Sequence, residues 1–205
     1  MDCSTIYLQR SDDGQFVEAM ICDEITDRDL KRWEETWVPA MLAAVERNIR
    51  ENLPREKWPQ DLHWNWRKKV ASLRQLLGLQ GFSVIREDAL EGLMIVNLTK
   101  QARIPAQRGK PIAYVDYLST APWNRKEIVP NPRYRGVGRA AVLAAVKLSR
   151  AEEFKGRVGL HSLPQSDQFY ERKCGMTAVE RDPKKQNLMY FEMTEEQATA
   201  FESAK

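Results

Sequence analysis

The chain has 205 residues, 42% of them apolar and 30% charged, with a formal net charge of +3. This is the composition of a soluble globular protein, with enough chain to bury a core and, at roughly 150 residues per domain, a fit to one domain. The weak positive charge admits an anionic ligand but falls short of a nucleic-acid binder, and no apolar run approaches the ~20 residues of a membrane helix.

The N-terminal MDCSTIYLQRSDDG lacks the basic start and apolar run of a secretion signal. Cys3, Cys22 and Cys174 are scattered and odd in number. They match neither a zinc site nor a disulfide framework and suit a reducing, cytoplasmic setting. His63 and His161 are the only histidines, so no metal is expected.

In chain order, residues 4–10 and 15–24 alternate apolar and polar side chains around SDDG, which predicts two strands and a turn. Residues 1–30 hold eight acids against two arginines, an acidic, solvated face. From Thr26 or Asp27, good helix caps, Leu30, Trp33, Trp37, Met41, Leu42 and Val45 recur at helical spacing. Pro39 is expected to kink or split this helix. LPREKWPQ reads as a loop, and LHWNWRKKVASLRQLLGL (62–79) as a helix ending near Gly78 or Gly81. Five of the six tryptophans fall between Trp33 and Trp66. They read as core packing of a helical pair or as the aromatic wall of a substrate pocket.

Strands return at 81–87, 90–99 and 111–120. A three-proline loop (121–132) precedes a helix from about Gly138 to Glu152. A strand at 156–163 leads to a short helix (165–175) stopped by Gly175. Two closing strands and a small terminal helix or tail follow. Alternating strands and helices with no repeat or linker predict a single α/β or α+β domain, 1–205.

One stretch carries chemistry. In NPRYRGVGRA, glycines and arginines sit where a helix begins. A helix N-terminus offers unpaired N–H groups and the positive end of its dipole, a place for phosphate. Gly136 and Gly138 let the backbone approach. Val137, Gly138, Arg139 and Ala140 then offer N–H groups to a pyrophosphate, with Arg133, Arg135 and Arg139 adding forked donors. The run is neither a G-x-x-x-x-G-K-[ST] loop nor a G-x-G-x-x-G fingerprint.

Arg133-x-x-Gly136-x-Gly138 resembles the [Q/R]-x-x-G-x-[G/A] signature of the GNAT superfamily of acetyl-CoA-dependent N-acetyltransferases. The ordered set YVDYLS, RYRGVGRA, FYERKCGM is more specific than the signature alone. The resemblance covers about residues 80–193 and, more loosely, the whole chain. It implies a mixed, mostly antiparallel central sheet with a splayed parallel strand pair flanked by helices. Residues 111–176 would form the cofactor-binding and catalytic core, and 26–80 an enlarged acceptor-side helical region.

The resemblance also implies roles. The motif loop holds the pyrophosphate of acetyl-CoA, the strand end Leu118, Ser119 and Thr120 holds the pantetheine, and Tyr170 is the general acid. A phenol of pKa ~10 is protonated at neutral pH and can supply a thiolate. Asp116 is the candidate base or amine-binding carboxylate, with Tyr114 on the same strand face by period two and His161 a second base. Leu163 stands seven residues before Tyr170, where the family often has a cofactor-contacting Asn, so Ser166 or Ser162 is the expected substitute, with Phe169 beside the cofactor. The long loop places Trp123 and Asn124 as acceptor contacts. The expected reaction is acetyl transfer to a primary amine of a small molecule or peptide. Alternatives are a CoA- or acyl-CoA-binding module acting through a protein partner, and a toxin-like enzyme acting on aminoacyl-tRNA, which the basic second half of 26–80 would suit. A solvated helix face explains that charge equally well and is preferred at a net charge of +3. A homodimer is compatible with the sequence.

Overall fold

The computed structural model describes residues 1–73 and 75–204. Arg74 of the helix expected over 62–79 and Lys205 of the expected tail lie outside the described residues. The strands among the described residues are β1 (Cys3–Arg10), β2 (Phe16–Cys22), β3 (Leu79–Arg86), β4 (Ala89–Gln101), β5 (Pro111–Thr120), β6 (Tyr134–Arg135), β7 (Val158–Ser162), β8 (Thr177–Asp182) and β9 (Leu188–Met193). They hydrogen-bond in the order β6-β1-β2-β3-β4-β5-β7-β9-β8. The helices are α1 (Asp27–Arg32), α2 (Val38–Arg50), α3 (Trp66–Leu73), α4 (Val137–Ala151), α5 (Asp167–Arg172) and α6 (Glu195–Ser203). The chain divides into two compact units.

The first unit contains residues 1–77, 81–93 and 118–138. Its β1–β2 hairpin turns at Gly14, whose φ of +74° suits glycine. The register sets Cys3 opposite Cys22, and their sulfurs are bonded. This corrects the expectation of three unpaired cysteines. The pairing follows from hairpin register and not from cysteine spacing along the chain, and the cysteines no longer argue for a reducing compartment. Tyr134 and Arg135, between the expected loop and helix, extend the hairpin as β6, pairing with Arg10 and Gln9.

Thr26 caps α1 in a reciprocal box: its hydroxyl accepts the Asp29 N–H while the Asp29 carboxylate accepts the Thr26 N–H. The expected break at Pro39 takes a definite form. A π-turn, Trp33–Trp37, joins α1 to α2, and the Val38 N–H reaches back five residues to the Trp33 carbonyl. Proline cannot donate to the carbonyl four residues back and its ring crowds it, so the wider turn relieves the conflict. Trp37 Nε1 donates to the Leu90 carbonyl at 3.0 Å, pinning the turn to β4. The helix expected over 62–79 is shorter. Asn65 accepts the Lys68 N–H at 2.9 Å and starts α3 at Trp66.

The second unit contains residues 78–80, 94–117 and 139–204. The β5–β7 ladder is parallel and pairs Ala113, Tyr114 and Val115 with Val158, Gly159 and Leu160. β7 and β8 both run antiparallel to β9. Ala141, Val142, Ala145, Val146 and Ser149 of α4 are buried at helical spacing. α6 is capped by Thr194, which accepts the Gln197 N–H.

Candidate active site

In the first unit, the R-x-x-G-x-G stretch is a positioned turn. The Arg133 N–H donates to the Trp123 carbonyl at 2.9 Å and the Arg133 carbonyl accepts from Ser11. Its guanidinium lies 5.3 Å from the Trp123 ring centroid, a cation–π distance. Gly136 has φ +98°. A Cβ there would meet nothing closer than 3.9 Å, so glycine is needed for the backbone angle and not for space. Val137 then opens α4 with its side chain buried. A Cβ on Gly92 of β4 would come within 2.9 Å of Val137 Cγ1, so the helix start seats on a glycine. The first turn of α4 holds no acidic side chain to neutralise its dipole.

A buried carboxyl group that the sequence reading missed organises this turn. Glu91 of β4 accepts from Trp123 Nε1 at 2.8 Å and Asn124 Nδ2 at 2.6 Å. Burial raises its pKa, partly offset by those donors and by Arg133 and Arg86. Asn124 Oδ1 accepts the Tyr134 N–H at 3.0 Å. The side-chain N–H groups of Trp123 and Asn124, expected to meet the acceptor, are thus committed to Glu91 and the motif turn. The signal was a lone acid in the apolar run LEGLMIV. Ser119 is buried and donates to Asp61 Oδ2 at 2.6 Å. Arg125 Nη1 holds both Asp61 oxygens at 2.7 and 2.9 Å. A role for Ser119 in holding pantetheine therefore falls to its backbone.

In the second unit, Tyr170 of α5 is buried between Phe169 and Phe191, with ring centroids 5.0 and 6.0 Å away. Burial pushes its phenol well above the ordinary value. The same surroundings push the buried Cys174 thiol up to about 12. Asp116 of β5 accepts from Asn97 Nδ2 at 3.1 Å. Tyr114 and His161 meet directly, Oη to Nδ1 at 2.5 Å, and His161 Nε2 lies 3.1 Å from Asp182 Oδ2. Arg103 donates to Asp182 at 2.8 Å and holds its pKa down. An ionised Asp182 only accepts, so Nε2 carries the proton and Nδ1 accepts from Tyr114. Both ring nitrogens of His161 are taken, which leaves none for a substrate amine. The Arg139 guanidinium likewise caps α6, donating to the Phe201 and Ala204 carbonyls and stacking 4.3 Å from the Phe201 ring centroid. Only its backbone N–H remains for the motif. Leu163 precedes the 3-10 turn Pro164–Ser166, which leads into α5.

Burial, then the Arg103 charge, lower the pKa of His161. A lowered histidine gives stability that is present above the unfolded value of ~6.5 and lost as pH falls through it toward the folded value. The melting temperature should therefore drop between about pH 7.5 and 5.5. His161→Gln, which keeps two polar groups but does not titrate, should flatten that drop. Parallel curves for the two proteins would remove His161 as the cause.

No family model and no curated protein matches the chain. Solved structures do. A GNAT-family acetyltransferase from Listeria monocytogenes 4b F2365 has TM-score 0.55 at 13% identity, covering 92% of this chain and 98% of that one. The GNAT domain of S. lividans PAT has TM-score 0.53 at 16% identity, covering 93% and 96%. The PaiA N-acetyltransferase of Thermoplasma acidophilum, in complex with coenzyme A, has TM-score 0.50 at 14% identity, covering 86% and 98%. The chain has the fold of the GNAT superfamily: a mixed, mostly antiparallel sheet with a parallel strand pair and flanking helices. No helix among the described residues is long and apolar enough to cross a membrane.

Proposed function

We propose that the protein is an N-acetyltransferase that moves an acetyl group from acetyl-CoA to a primary amine of a small molecule or peptide. The observation that carries this reading is the start of α4, where Gly136 at φ +98° leads into a first turn without acids. Such a turn fits a pyrophosphate, because the first N–H groups of a helix have no partner within the helix and no acidic side chain stands in this turn. Val137, Gly138, Arg139 and Ala140 would donate those N–H groups, with Arg133 and Arg135 flanking. The solved relative with coenzyme A bound supports a CoA-type ligand for the fold.

Acetyl-CoA supplies the thioester. The amine nitrogen bonds to its carbonyl carbon as the carbon–sulfur bond breaks, so the amine must lose a proton and the sulfur gain one. Asp116 is the proposed acceptor of the first proton and Tyr170 the donor of the second. Burial keeps the Tyr170 phenol protonated well into the alkaline range. Burial raises both groups: a thiolate formed in similarly dry surroundings would be pushed upward as Cys174 is, which offsets the rise of the phenol itself. Backbone groups of Leu118, Ser119 and Thr120 would hold the pantetheine, with Ser166 and Phe169 contributing from the start of α5. Tyr114 and His161 would form a rigid wall behind Asp116.

Tyr170→Phe should lower turnover by roughly 10²-fold, the size of a lost general acid, with acetyl-CoA affinity unchanged. Equal turnover for the two proteins would move the acid role elsewhere. Leu163, in place of the family's Asn, favours a second reading, a binding module for CoA or acyl-CoA that acts through a protein partner. Release of free thiol from acetyl-CoA across a panel of amines supports the enzyme. Binding without release supports the module.

A further inference from the structure

The tryptophan-rich helical region encloses a cavity of about 140 Å³. Four indoles line it, Trp33, Trp37, Trp64 and Trp66, together with Met41 and Asp61. The π-turn forced before Pro39 places Trp33 and Trp37 at its two ends, and π-turns of this kind recur at functional sites. Trp37 and Trp66 are almost fully buried, whereas Trp64 is half-buried and the lining residue Leu42 is 51% exposed. Those last two mark the mouth. Among the described residues, no lysine, arginine or histidine is a lining side chain.

We infer that this cavity is a binding site for a methylated ammonium, an organic cation of the trimethylammonium type. Indole faces carry negative π charge and attract cations, most strongly where water is excluded. The lining supplies four indole rings, of which Trp64 is also approached by Lys69. Trp64 already shows the preference on the protein's own groups, with Lys69 Nζ at 5.0 Å from its ring centroid.

The polar atoms of the cavity decide which cation. Asp61 is its single acidic lining residue, and its oxygens already accept two hydrogen bonds from Arg125 and one from Ser119. A primary ammonium brings three N–H donors that would need acceptors on desolvation. A methylated ammonium has no such demand, is weakly hydrated, and fills an aromatic cage with methyl groups. Such a nitrogen has no proton to lose and cannot itself be acetylated. The site therefore recognises a cationic group of a larger molecule or a separate small ligand, and it does not depend on the acetyltransferase reading.

The test is a titration of the full chain, without acetyl-CoA, followed by calorimetry and indole fluorescence. Choline is compared with 3,3-dimethylbutan-1-ol, which has the same shape but no charge. Choline should bind at least about tenfold more tightly than the neutral alcohol. Trp64→Leu should weaken choline by about tenfold, while Trp64→Phe, which keeps a π face, should retain most of the affinity. Equal binding of choline and the alcohol would make the cavity merely apolar and overturn the inference, as would no binding of either. The isostere comparison needs no variant, so it decides the matter even if Trp64→Leu fails to fold.

Discussion

Gly138→Trp is expected to abolish acetyl-CoA binding while leaving the protein folded. Gly138 lies in the first turn of α4 with ordinary helical backbone, unlike Gly136 at φ +98°. A side chain at 138 therefore brings no left-handed strain, and tryptophan is a better helix former than glycine. An indole beside the N–H groups of residues 137–140 takes the space that a pyrophosphate needs. Each hydrogen bond to a charged group contributes about 1.5–3 kcal/mol, so losing two of them weakens binding by roughly 10²-fold or more. Gly136→Ala is the contrast. It costs about 1–2 kcal/mol of backbone strain and reshapes the turn without filling the site, so affinity should fall less and stability more. Calorimetry showing unchanged acetyl-CoA affinity in Gly138→Trp would mean that the turn does not hold the cofactor.

Glu192→Ala is expected to be the most destabilising single change in the second unit. The Glu192 carboxyl group is fully buried in β9. It accepts from the N–H groups of Arg103 at 2.6 Å and Ile104 at 3.1 Å, from Gln107 Nε2 at 2.6 Å and from Tyr190 Oη at 2.6 Å. Alanine removes an acceptor from four donors, of which Gln107 Nε2 keeps a contact to the Met193 carbonyl at 3.4 Å. Each donor left unsatisfied costs about 1–3 kcal/mol where water cannot reach it. With some relaxation the loss is about 3–5 kcal/mol, or about 6–20 °C in Tm at this chain length. Glu180→Ala is the control. Glu180 also faces Arg103 but is 56% exposed, and such pairs contribute under about 1 kcal/mol. Scanning calorimetry that finds equal melting for both variants would deny Glu192 its role as the organiser of this network.

Much of the fold could be read from local pattern. The hairpin, the helix break at Pro39, the strand around Tyr114 and the short helix ending before Gly175 follow from alternation, caps and breakers, whereas the parallel pairing of that strand was implied only by the family resemblance. What failed needed pairing information that one strand does not carry. The Cys3–Cys22 bond depends on hairpin register, although equal steps outward from the turn bring the two together. β6 is two residues at a sheet edge, too short to show any period. The start of α3 was available in Asn65, but the tryptophans on its two sides concealed it.

The motif turn was legible because glycine spacing and arginine charge are local properties. Glu91, Asp61 and Asp182 were not, because each draws its meaning from partners far along the chain. His161 shows the same limit. A strand histidine looks like a base until Tyr114 and Asp182 are seen on its two nitrogens. The tryptophans were open to two readings: Trp37 and Trp66 are buried as core, and the same rings line a cavity whose ligand is a matter for the choline titration.

The most direct measurement is a thermal shift of the protein with acetyl-CoA, NAD and ATP in parallel. A ligand at 100 times its dissociation constant adds about 2.7 kcal/mol, or about 5–11 °C at this chain length. A rise of that size with acetyl-CoA alone is the predicted result. No rise with acetyl-CoA, or an equal rise with all three, would contradict a CoA-specific site at the start of α4.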